Sequence, residues 1–317
     1  MQNLVSFNGL PLLSVLQRGI RSTLLVVSTV VLSSVILSGN VSAQDSSQDS
    51  AQDKPVTSTS PFMSEQSEAN QRAMITYALH EAGVYDLLEQ VPELISQEIG
   101  NLKASMPLSR QELKSLKKNL ASRLESAEIN ASILRYVQSR LSEEQLLAIK
   151  DILQSSHVLS FKQMQQDADN ELTYGRMRSY KVKLKERAPN KNRLVLVETL
   201  DASIGQTRLE TEIKVELRKN LLANVSLLKT EQVLSEALLE KQMADYRQRV
   251  GDHINENARV FYLYLFKRTP SANIRQLIGR YSNPEFEKFM AVCESAIVSV
   301  FRKARRDAYD DMKLAGN

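Results

Sequence analysis

Beyond residue 70 the apolar residues recur at three- and four-residue spacing, with polar residues filling the positions between them. That spacing lays one apolar stripe along each of a series of helices. No convincing run of strict alternation survives, although Val182 with Leu184 and the Leu194 to Val197 segment are locally ambiguous. Helix-end signals punctuate the pattern. Ser109-x-x-Glu112 and Ser142-x-x-Gln145 read as capping boxes, and Ser282-x-x-Glu285 as a third with Pro284 just inside it. Gly83 and Gly100 are placed to end helices, and Pro92 to open one. The predicted class is all-α.

The pattern also repeats. Shifted by 140 positions, residues 134–172 align without a gap on 274–312. Arg135/Arg275, Arg140/Arg280, Ser142/Ser282, Ser155/Ser295, Val158/Val298, Phe161/Phe301, Asp167/Asp307 and Ala168/Ala308 are identical. A fainter echo links residues 77–83 to 197–205. Two helical-bundle copies are therefore expected, 71–188 and 189–317, meeting at the polar segment around Pro189. Each copy should carry a helix of roughly 40 Å, from Glu143 to about Asn170 and from Pro284 to about Met312.

The N-terminal region obeys a different pattern. Arg18 and Arg21 precede an apolar stretch from Leu24 to Leu37, and Val41 and Ala43 are small residues placed for a cut after Ala43. Residues 1–43 thus read as a signal peptide, because the apolar run is short of the ~20 residues a span requires. Its retention as an anchor is the competing reading. Residues 44–70 repeat Gln-Asp-Ser and have little to bury, so a disordered polar linker is expected there. The predicted location is the bacterial periplasm, with no transmembrane span in the mature chain.

Composition changes this picture little. Among 317 residues there are Cys 1 and Trp 0, which excludes an internal disulfide framework. The net charge is +4, and with +2 on residues 1–43 and −4 on 44–70, +6 remains for 71–317. That mildly basic remainder suits anionic partners and falls short of a nucleic-acid signature. No nucleotide-, metal- or hydrolase-type motif occurs, so neither catalytic residues nor a cofactor is predicted.

The segment Arg193-Leu-Val-Leu-Val-Glu-Thr-Leu-Asp-Ala-Ser-Ile-Gly-Gln-Thr207, with Tyr281-Ser-Asn-Pro-Glu-Phe286 further on, is similar to a family of bacterial periplasmic helical domains of unknown function. The resemblance implies a helical fold and lends no chemistry. The Ser-Pro-x-Gly expected further along that helix is replaced here by Ser295-Ala296-Ile297-Val298.

Among candidate sites, Cys293 corresponds to Leu153 in the first copy, which marks a core position. His157 lies on an apolar stripe, while His80 and His253 stand beside acids in sequence without forming a site. Glu143/Glu144 belong to a helix's first turn. Glu210/Glu212 and Asp310/Asp311 read as solvated faces. The apolar run Val260 to Phe266 reads as the centre of the bundle, the alternative being a lipid- or client-binding surface. Arg302, Lys303, Arg305 and Arg306 stand where the first copy has Lys162, Gln163, Gln165 and Gln166. They form the candidate contact patch for an anionic envelope surface or an envelope protein. The expected function is a non-catalytic, exported interaction module. A holdase-like chaperone for unfolded clients is the alternative, and a hydrolase with a dispersed site the third possibility.

Overall fold

The computed structural model describes residues 61–105 and 108–315, with side chains for 67–103 and 108–314. The segment read as a signal peptide, and the expected linker up to residue 60, lie outside the described residues. Every regular element among those described is a helix. In chain order they are α1 (Pro61–Glu81), α2 (Val84–Leu88), α3 (Val91–Ser105), α4 (Arg110–Arg123), α5 (Ser126–Gln138), α6 (Glu143–Leu153), α7 (Ser156–Ala168), α8 (Glu171–Glu186), α9 (Lys191–Ile204), α10 (Gln206–Thr230), α11 (Glu236–Leu265), α12 (Ser271–Tyr281) and α13 (Pro284–Ala315). The locally ambiguous Val182, Leu184 and Leu194 to Val197 are all helical. Among the described residues no helix is long and apolar enough to cross a membrane.

α10 lies at the centre. It packs on α13 and α11 along its length and also meets α2, α3, α4 and α9. One hydrophobic cluster runs through the molecule, from Ile75 and Leu79 of α1 to Phe289, Ile297 and Phe301 of α13. Phe261, Tyr262, Leu263 and Phe266 belong to it, and Val260 beside them is also buried. There Tyr262 and Phe266 pack around Phe161, with Tyr281 edge-on to the same ring. Cys293 is a fully buried free thiol, as its match to Leu153 implied.

Local signals explain most helix ends. The boxes at Ser109/Glu112 and Ser142/Gln145 both form. At α13 the cap is different: the Asn283 side chain accepts from the Glu285 amide at 2.9 Å. Ser282 instead ends α12 and meets the Ser203 hydroxyl at 2.9 Å. Gly83 ends the α1 segment in the left-handed region (φ 72°), which only glycine adopts without strain. Gly100 does not end a helix but lies exposed within α3, where an added Cβ would meet nothing within 4 Å. Gly100→Ala should therefore stabilise the protein by about 0.5–1 kcal/mol, read as a rise in the urea midpoint at unchanged slope.

Two further departures from expectation have local causes. α1 begins at Pro61, inside the segment read as linker, and residues 67–70 are exposed. Extending an already nucleated helix costs little, so Ser67, Glu68, Ala69 and Asn70 continue it without burial. The long helix expected from Glu143 divides into α6 and α7 at Gln154–Ser155, whereas α13 runs unbroken past the matching Glu294–Ser295. The Ser155 hydroxyl donates to the Ile152 carbonyl three residues back, while Ser295 donates to Ala291 four back. A hydroxyl bonded within its own turn competes with the helical ladder.

The matched segments touch one another. Gln145 donates to its counterpart Glu285 at 2.8 Å, and Gln206 donates to the Ala82 carbonyl at 2.9 Å, joining the two glycine junctions. α5 packs on α13 and α12 on α7, so the halves interlock.

Candidate functional site

α9 and α10 are joined by a single residue, Gly205, whose φ of 76° turns the chain between them. This brings the last turn of α9 against the first turn of α10. There the Thr207 hydroxyl donates to Asp201 Oδ2 at 3.1 Å. Asp201 retains only 8% of its accessible surface, and its Oδ1 has no hydrogen-bond partner. Burial raises its pKa to about 7, the nearby Glu210 adds to the rise, and the Thr207 hydroxyl acts against it. Glu210 is itself buried and forms an ion pair with Lys214 at 2.9 Å. Neither Glu210 oxygen has an aligned hydrogen bond, so that contact is one of charge alone.

A cleft of about 590 Å3 opens between α9, α10 and α11, and Asp201 and Thr207 lie in its wall. Three arginines also line it: Arg208, Arg247 and Arg259. Each already holds a carboxylate, Arg208 with Glu294 at 2.7 Å, Arg259 with Glu198 at 2.8 Å, and Arg247 with Glu212.

Further along α10 a buried ionic network ties three helices together. Lys219, with no accessible surface, contacts Glu216 at 2.6 Å and Glu240 of α11. Arg305 of α13 reaches Glu216 at 2.7 Å and grips Glu236 of α11 through two bonds of 2.9 and 2.8 Å. Burial works against the charge on Arg305, yet Glu236 and Glu216 together raise its pKa above the ordinary value. Asn220 donates to the Phe301 carbonyl at 3.1 Å, fixing α13 to α10 at the same level.

This geometry divides the four candidate cations. Arg302, Lys303 and Arg306 are exposed, Lys303 pairing with Asp307 at 2.6 Å and Arg302 lying 3.6 Å from Glu236. Arg305 faces inward, contrary to the expectation of a solvent-facing cation. At 100° per residue it stands only 40° from Phe301, on the core side of the helix. Glu210 and Glu212 also depart from their reading as a solvated face, because α10 is enclosed by neighbours on its polar flank too.

The remaining candidates have ordinary partners. His157 is half-buried with Nε2 3.0 Å from Gln276. His253 meets Asn257 at 3.1 Å. His80 and Glu81, neighbours in sequence, meet at 3.3 Å. That hydrogen bond, helped by Lys162, holds Glu81 at about 2. Asp310 and Asp311 are exposed. Among the described residues no three His, Cys, Asp or Glu side chains come together to hold a metal ion.

Besides the buried network around Lys219, two features had escaped the sequence. One is Asp201, which looked like any aspartate in an amphipathic helix. The other is the exposed basic face of α4, formed by Arg110, Lys114, Lys117 and Lys118. Its i, i+4, i+7, i+8 spacing was visible in the chain. α4 is tied to the end of α13 by Arg123–Asp311 at 2.8 Å.

Comparison with family models, curated proteins and solved structures returned no match. The segments that carry the resemblance to the periplasmic helical family, 193–207 and 281–286, lie side by side through the Ser203–Ser282 hydrogen bond. Asp201, Gly205 and Thr207 all fall within the first of them.

Proposed function

We propose that the protein is an exported, non-catalytic helical module that works in the bacterial periplasm by contact with phosphate-bearing envelope surfaces. The observation that carries this reading is the division of labour on α13. Arg305 is consumed by the fold, whereas Arg302, Lys303 and Arg306 extend outward from the same helix. The exposed cations of α4 supply a further basic face. Clustered cations attract anionic headgroups within a screening length and lose that attraction in salt.

The triple change Arg302→Gln, Lys303→Gln and Arg306→Gln should leave stability within about 0.5 kcal/mol per site, as for exposed positions generally. It should also weaken sedimentation with anionic phospholipid vesicles or retention on lipopolysaccharide, each at low salt, and the difference should vanish at high salt. Equal binding by parent and variant at low salt would overturn the reading. The chaperone alternative has less support. The exposed apolar side chains, among them Leu172 and Val182 on α8, Val195 on α9 and Leu314 on α13, are spread over separate helices.

A further inference from the structure

We propose that the cleft between α9, α10 and α11 binds a small cationic molecule, an amine or guanidinium compound, whose charged head pairs with the Asp201 carboxyl. This goes beyond the envelope-surface reading, which concerns other faces of the molecule.

The first argument is the orphaned oxygen. Buried carboxylate oxygens in folded proteins have hydrogen-bond partners with few exceptions. Asp201 Oδ1 has none, although Thr207 serves the other oxygen of the same group. The missing partner is a donor, and Asp201 lies in the wall of a cleft whose volume of about 590 Å3 falls within the range of small-molecule sites. Oδ1 itself is covered, so an entering group reaches the carboxyl as it turns about the soft Cβ–Cγ bond.

The second argument is the balance of charge. The cleft walls carry Glu198, Asp201, Glu212 and Asp252 against Arg208, Arg247 and Arg259. Arg208 is neutralised from outside the cleft by Glu294, Arg247 by Glu212 and Arg259 by Glu198. What remains is Asp201, and Asp252 with only a 3.5 Å contact from Gln248. An anionic ligand would have to share an arginine with a carboxylate already paired to it. A cation displaces nothing and supplies the donor that Oδ1 lacks. A bare metal ion would need further ligands, and the described residues bring no such group together. Gln248 and Asn255, also in the wall, can hydrogen-bond a second polar end of the ligand.

The test is calorimetric titration of the full chain at pH 8 with 1,4-diaminobutane and agmatine as cationic probes and succinate as the anionic one. The proposal expects saturable heat with at least one cationic probe and none with succinate. It also expects a loss of affinity of at least about tenfold in Asp201→Asn, the scale of a hydrogen bond to a charged group. Carbon NMR of the Asp201 carboxyl supplies a readout that does not depend on the variant's folding, since a bound cation should shift that resonance and succinate should not. Binding of succinate in place of the cations, equal affinity of parent and Asp201→Asn, or an unmoved Asp201 resonance at saturating probe would each overturn it. Loss of vesicle binding in the α13 triple variant would leave this result untouched, so the two readings fail separately.

Discussion

Lys219→Ala is expected to destabilise the protein by about 3–5 kcal/mol, the cost of leaving a buried ion-pair partner uncompensated. Its ammonium has no accessible surface and lies between Glu216 and Glu240. Removing it leaves Glu216, 1% accessible, with Arg305 as its one remaining cation. The effect should appear as a lowered urea midpoint with the slope preserved, because the variant still folds around the same apolar stripe. Arg305→Gln should act in the same direction, since both Glu216 and Glu236 lose their bonds to it. Changing Lys219→Met, Glu216→Leu and Arg305→Met together should recover much of the loss, because an apolar trio avoids the desolvation of all three ions and leaves only the part-exposed Glu236 and Glu240 to water. A change below about 1 kcal/mol for Lys219→Ala would mean that water reaches the network.

The second large effect is one of pH. Asp201 has a folded pKa of about 7 against an ordinary value of 3.8. The folded chain therefore keeps a proton that the unfolded chain gives up. Its contribution to stability is full below pH 4 and is lost as pH rises through about 7. Asp201→Asn cannot titrate and mimics the protonated form. Relative to the parent, the variant should gain about 3–4 kcal/mol in unfolding free energy between pH 4 and pH 8, because each tenfold difference in proton affinity between the folded and unfolded chains is worth about 1.4 kcal/mol. Denaturant melts of both proteins at the two pH values measure it. Parallel stability curves would show that the carboxyl is solvated.

The all-helical class was legible because apolar spacing and caps agree at most helix ends, as at Ser109 and Ser142. The core position of Cys293 followed from its match to Leu153. The inward turn of Arg305 was also within reach, since helical arithmetic places it beside Phe301, but a cluster of four cations invited reading as one face. What the chain could not disclose was the burial of Glu210, Glu212, Glu216 and Lys219. Their spacing marks them as the polar flank of α10, and a polar flank is solvated only when nothing packs against it. Here α11 and α13 do. Asp201 was hidden for a related reason: its environment depends on the turn at Gly205, which sets Thr207 against it, and on the helices packed around them, none of which leaves a periodicity of its own.

The burial of Asp201 is tested most directly by a pH titration of its carboxyl carbon by NMR, with the resonance assigned by its disappearance in Asp201→Asn. A buried carboxyl with one unpartnered oxygen in the wall of the α9–α10–α11 cleft should titrate with a midpoint near 7. A midpoint near the 3.8 of an ordinary aspartate would contradict it.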